Sequence, residues 1–153
     1  MKYFSFIMLN FTSILCFAQV DFDQLNQLYK NEPKPILIYF YTDWCRICKI
    51  QEKQIEQNLS LKESLNNDVY FIKFDAESDR DVSFLNQNFK ANSSKNKKTN
   101  HSLLNAFIQQ QEINYPLWIF LNQDLELIDK YPGLIQPKNL EKIINQLKKD
   151  ANK

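Results

Sequence analysis

Two kinds of apolar pattern alternate along the chain, and their order outlines a layered fold. Ile36 to Tyr41 is an unbroken run, Ile-Leu-Ile-Tyr-Phe-Tyr. It lacks the alternation of a half-exposed strand and predicts a strand buried on both faces. Val69 to Phe74 predicts a second strand, with Lys73 inside it and Asp75 closing it. Pro116 opens a third, Leu117 to Leu121, and Leu125 to Tyr131 makes a fourth. Between them Asn122-Gln123-Asp124 has the composition of a hairpin turn. Pro132-Gly133 suits a type II turn, with Gly133 at the position of positive φ.

Helical spacing fills the intervals. Phe22, Leu25, Leu28 and Tyr29 predict a helix over 21–31, capped by Asp21 and stopped by Pro33 and Pro35. From Cys45 to about Asn66 there is no Gly or Pro, and one helix with an irregular apolar stripe is predicted. Leu103, Leu104, Phe107 and Ile108 mark another, ending near Ile113. Pro137 starts the last, with Leu140, Ile143, Ile144 and Leu147 on one face. A polar insertion occupies about 76–100. Its end, Asn92 to Asn100, reads as a solvated loop, while Val82, Phe84, Leu85 and Phe89 predict a short element packed on the body. The sum is an α/β domain with a mixed central sheet of about four strands flanked by helices.

Composition narrows the class. The chain has 153 residues, a one-domain length, and at 44% apolar and 14% aromatic it can bury a core. With 19 basic and 18 acidic residues it lacks the clustered positive charge of a nucleic-acid binder. Residues 1–18 read as a signal peptide. Lys2 supplies the basic start, Phe4 to Phe17 the apolar stretch, and Cys16-Phe17-Ala18 a site for cleavage before Gln19. The stretch falls short of the roughly 20 apolar residues of a membrane-spanning helix. An uncleaved anchor stays open as the alternative; a lipoprotein site at Cys16 ranks lower because Leu15 is bulky. The expected domain is then 19–153, and the expected location periplasmic or otherwise extracytoplasmic. Cleavage would remove Lys2 and Cys16, leaving equal numbers of basic and acidic residues and two cysteines, Cys45 and Cys48.

Those two lie in Trp44-Cys45-Arg46-Ile47-Cys48, where a buried strand passes into a helix. A cysteine at a helix start meets unpaired N–H groups and the positive end of the dipole, both of which favour a thiolate. Cys48, one turn on, is in reach of a mixed disulfide at Cys45. Arg46 and Lys49 add positive charge, Ile47 adds apolar bulk, and Trp44 walls the site. Three uses compete. A purely stabilising disulfide gains little from so short a loop. A metal site would suit copper(I), but the single His101 and the lack of a second cysteine pair leave no closed four-ligand set. Thiol–disulfide exchange is the third and strongest. His101 reads as helix-start or surface structure.

The stretch from Ile36 through Trp44-Cys45-Arg46-Ile47-Cys48-Lys49, followed by Tyr115-Pro116 and Gly133, resembles the thioredoxin-like superfamily. It is similar in particular to exported bacterial members such as the C-terminal domain of the membrane disulfide reductant conductor. The resemblance implies a thioredoxin-like fold over most of 20–150 and a protein disulfide oxidoreductase acting on protein thiols and disulfides. It also implies a monomer that draws electrons from a membrane donor, with the redox-active disulfide standing in for any cofactor. Cys45 attacks and Cys48 resolves. Tyr115-Pro116 stands where the family has a cis-proline that helps bind substrate backbone, with Gly133 nearby. The family's buried relay Asp on the first strand is replaced by Tyr39, while its partner Lys is matched by Lys73. Glu52, four residues after Cys48, is one candidate for the missing relay and water is another. A reductase is expected over an oxidant; a copper(I)-binding protein or a redox-inert adaptor is the alternative.

Overall fold

The computed structural model describes residues 20–91, 99–108 and 113–151. Eleven elements follow in order: α1 (Phe22–Asn31), β1 (Ile36–Tyr41), α2 (Arg46–Gln57), α3 (Leu59–Asn67), β2 (Tyr70–Asp75), β3 (Val82–Phe84), β4 (Gln87–Phe89), α4 (Ser102–Phe107), β5 (Leu117–Leu121), β6 (Leu127–Pro132) and α5 (Pro137–Ala151). The segments predicted as the signal peptide and as the tip of the polar loop, 92–98, lie outside the described residues.

Four strands form one sheet in the order β2-β1-β5-β6. β1 runs parallel to β2 and antiparallel to β5, and β5 runs antiparallel to β6. The absence of alternation in β1 has its cause here, since alternate side chains enter two separate cores. Ile36, Ile38 and Phe40 pack with Phe22, Leu25, Leu103 and Leu104 of α1 and α4. Leu37 and Tyr39 pack with Leu61, Leu65, Trp118, Leu140 and Ile144, beneath α3 and α5. Cys45 and Cys48 belong to this second core. The redox pair is therefore built into packed structure, which fixes where its sulfurs can sit.

Several elements differ from expectation. The helix predicted from Cys45 to about Asn66 is two helices. Asn58 leaves helical geometry (φ −109°, ψ 101°), and its side chain accepts a hydrogen bond from the Leu61 N–H at 2.9 Å, starting α3 anew. Asparagine is a strong helix N-cap, and this one turns Leu61 and Leu65 into the core. β6 begins two residues late. The Asn122 side chain accepts from the N–H groups of Asp124 and Glu126, both at 2.9 Å, and Leu125 takes a positive φ of 65° in the turn. α4 stops at Phe107, short of Ile113, because Ile108 leaves the helical region (φ −113°, ψ 75°). The predicted short element in the insertion is the hairpin β3–β4. Its connecting residues Leu85 and Asn86 both have positive φ, as a tight two-residue turn requires. Phe84 docks edge-on against Phe22, with ring centroids 5.7 Å apart, so this part of the insertion belongs to the core.

Candidate active site

β1 delivers the chain to the site, and the turn that follows is held by the Cys45 N–H on the Thr42 carbonyl, at 3.1 Å. Cys45 is the N-cap of α2. Its sulfur accepts the Cys48 N–H at 3.0 Å. Cys45 and Cys48 are joined in a disulfide, with Cα atoms 5.3 Å apart across one helical turn. Both residues are buried, Cys45 at 5% exposed and Cys48 at 1%. When the bond is reduced, the same N–H and the helix dipole bear on Cys45 and favour its thiolate. No acidic side chain lies in the first turn of α2 to oppose this, and Arg46 and Lys49 stand exposed beside it.

The pairing of Phe40 with Leu117 sets Pro116 beside the end of β1 from which the cysteine turn departs. The Tyr115–Pro116 peptide bond is cis. The Pro116 carbonyl accepts the Gly133 N–H at 2.6 Å, so that carbonyl is engaged within the protein. Gly133 has φ 102°, and a Cβ there would meet no atom within 4 Å; the backbone angle alone calls for glycine.

Trp44 does more than wall the site. It is 61% exposed, and its indole N–H donates to Glu77 Oε1 at 3.1 Å. Its ring meets Tyr115 edge-on at 6.0 Å. The Tyr115 hydroxyl in turn donates to Asn100 Oδ1 at 2.9 Å. Burial, then the charges of Glu77 and Asp75, push the Tyr115 pKa up to about 12, so it stays a donor. The two ends of the insertion thus reach the redox site, through Glu77 and Asn100.

On the far side of the pair, Tyr39 is fully buried and its hydroxyl donates to the Cys48 carbonyl at 3.1 Å. Burial, followed by the nearby Glu52 and Tyr41, holds its pKa far above the ordinary value. The group in the relay position is therefore a fixed donor, not a base. Lys73 pairs in register with Tyr39. It forms an ion pair with Glu52 at 2.9 Å and lies over the Tyr41 ring at 4.4 Å. Glu52 and Lys73 both line an open cavity of about 160 Å³, together with Tyr39, Ile55, Glu56, Lys62 and Phe71.

Gln51 escaped the reading of the sequence. It is fully buried, and its amide grips both backbone groups of Ile135: Oε1 accepts the Ile135 N–H at 2.7 Å, and Nε2 donates to the Ile135 carbonyl at 3.0 Å. This ties the cysteine helix to the loop after β6, two residues beyond Gly133. A glutamine on the inner face of an amphipathic helix, between Cys48 and Ile55, was the available signal. His101 is the N-cap of α4, buried instead of superficial. Among the described residues no group of three or more His, Cys, Asp or Glu side chains is placed to hold a metal ion.

A sulfur pair set in this way has a defined chemical use, reversible exchange with other thiols and disulfides. The fold that carries it is that of a thiol–disulfide oxidoreductase of the thioredoxin kind. The chain belongs to the thioredoxin-like domain family, whose model matches residues 22–148. Solved structures agree on the fold. The DsbH oxidoreductase shares 18% identity at a TM-score of 0.55, over 86% of this chain and 84% of that one. The oxidised C-terminal domain of DsbD from Neisseria meningitidis shares 17% at 0.53, over 80% and 88%. A disulphide isomerase from Xylella fastidiosa Temecula1 shares 15% at 0.53, over 82% and 86%. A search of curated proteins by sequence finds no match.

Proposed function

We propose that this protein is an exported thiol–disulfide oxidoreductase that reduces disulfides in other proteins, using Cys45 and Cys48 as a two-electron couple. The observation that carries the reading is Cys45 at the N-cap of α2, its sulfur on the Cys48 N–H, beside the Tyr115–Pro116 turn. The Cys45 thiolate attacks one sulfur of a substrate disulfide. That S–S bond breaks, a mixed disulfide forms at Cys45, and the first substrate thiolate leaves and takes a proton from water. Cys48 gives up its proton and attacks Cys45. The second substrate thiolate leaves, and the Cys45–Cys48 disulfide remains. One substrate disulfide has gained two electrons and one protein dithiol has lost them.

Tyr39 remains a donor throughout, so the Cys48 proton leaves by Glu52 or by water in the cavity that Glu52 lines with Lys73. Export rests on residues 1–18, and a reductase outside the cytoplasm draws electrons from a membrane donor. Among the described residues no helix is long and apolar enough to cross a membrane. Among proteins of similar fold, DsbH is an oxidoreductase and the Xylella fastidiosa protein a disulphide isomerase, which accords with this chemistry.

Two substitutions test it. Cys45→Ser is expected to abolish reduction of a protein disulfide. Cys48→Ser is expected to accumulate mixed disulfides at Cys45, visible as a thiol-sensitive mass increase. Full reductase activity in Cys45→Ser would sink the assignment.

A further inference from the structure

We propose that the first two turns of α2 are a docking face for an acidic, apolar-containing segment of the redox partner, next to the partner's own cysteine. The inference rests on the exchange reaction proposed above and adds the chemistry of the molecule that takes part in it.

The helix buries Cys48, Gln51 and Ile55 against the sheet. Arg46, Ile50 and Lys53 occupy the opposite side at i, i+4 and i+7, one stripe along the solvent face, with Ile47 and Lys49 flanking it. Ile47 is 44% exposed and Ile50 47%, and with Trp44 they place three large apolar side chains in water on and just before the first turns of α2. Single exposed apolar residues are ordinary; a group of them contiguous with a reactive centre marks a contact surface.

Along this helix stripe the charge has one sign, while Asp43 and the Trp44-bound Glu77 lie beyond the start of the helix. Arg46, Lys49 and Lys53 are all exposed. The carboxylates of the same helix, Glu52 and Glu56, line the cavity on another side with Lys62 and Lys73, and Glu52 is ion-paired to Lys73. The positive end of the helix dipole adds to the three cations. A surface that interleaves isoleucine with lysine and arginine fits a segment offering carboxylates and an apolar side chain. A second copy of this chain is a poor fit, because a two-fold contact sets Arg46, Lys49 and Lys53 against their own equivalents. Continuity with the cysteine pair makes the occupant the molecule that exchanges disulfides there.

The test uses the reduced full-length protein and three homodimeric, self-quenched fluorescent peptide disulfides. All share the core Leu-Cys-Leu and are flanked by Glu, Ser or Lys. Each turnover converts one peptide disulfide into two thiols and one protein dithiol into the Cys45–Cys48 disulfide. The Glu peptide is expected to react about tenfold faster than the Lys peptide at low salt, and the ratio is expected to shrink as salt rises. In an Ile50→Ser, Lys53→Glu variant the Glu peptide should slow toward the Ser peptide, while reduction of hydroxyethyl disulfide keeps its rate. Equal rates for the three peptides, or a preference that survives the variant, would overturn the docking face and leave the exchange reaction standing. Failure to reduce any peptide or hydroxyethyl disulfide would overturn both. A dimer by sedimentation that the variant dissociates would assign the face to a second copy and overturn the proposal.

Discussion

Gln51 holds two halves of the site together with one side chain. Its amide satisfies both backbone groups of Ile135, in a place where neither the amide nor those groups reach water. A leucine there would fill the space and leave the Ile135 N–H and carbonyl unpaired. Leaving buried polar groups unsatisfied costs about 1–3 kcal/mol, so Gln51→Leu should lower unfolding free energy by that order in urea titrations. The consequence extends to function, because Ile135 follows the loop in which the Gly133 N–H holds the Pro116 carbonyl. The same variant should weaken reduction of a protein disulfide through KM more than through kcat, while leaving hydroxyethyl disulfide unaffected. Unchanged stability together with an unchanged KM would show that the double hydrogen bond positions nothing.

At the scale of elements, His101 fixes where α4 begins and, with it, the neighbour that Tyr115 binds. The His101 Nδ1 accepts the Leu103 N–H at 3.1 Å, so Nε2 carries the proton and donates to the Arg80 carbonyl at 3.0 Å. Both nitrogens are committed with the ring neutral. Burial holds the His101 pKa below 6.5, partly opposed by the Arg80 carbonyl and by Asp81. Protonation would place hydrogen on Nδ1 and remove the cap. The unfolded chain therefore binds the proton more readily than the folded one. The contribution of this group is complete above the ordinary histidine value of about 6.5 and is lost as pH falls toward the lower folded value. Thermal melts from about pH 7.5 to 5.5 should show the wild type losing stability that His101→Asn, which keeps a capping side chain, does not lose. Parallel losses in the two proteins would show that the ring does not carry this dependence.

For the molecule as a whole, what was legible in the sequence was what local pattern encodes. β1 and β5 coincide with their apolar runs because both are buried on either face. α5 coincides with its stripe, and the cysteine pair announces itself because its partners are three residues apart. The break at Asn58 went unread because an asparagine on the solvent side of a helix and one at a cap look alike until Leu61 is seen to need its N–H satisfied. The contacts that join the insertion and the loop after β6 to the site were beyond reach for another reason. Trp44 to Glu77 spans 33 positions and Gln51 to Ile135 spans 84, and no periodicity links such pairs.

The sheet brings those distant pieces to one end, around a disulfide at a helix start. The central claim is that this bond exchanges and is not a structural clasp. Its reduction potential, measured by thiol trapping in dithiothreitol and glutathione buffers, tests that most directly. The account expects a reversible two-electron couple between about −270 and −120 mV, the range from thioredoxin to the strongest protein oxidants, lying at the thioredoxin end for a reductase. A potential well below about −300 mV, where structural disulfides lie, would contradict it.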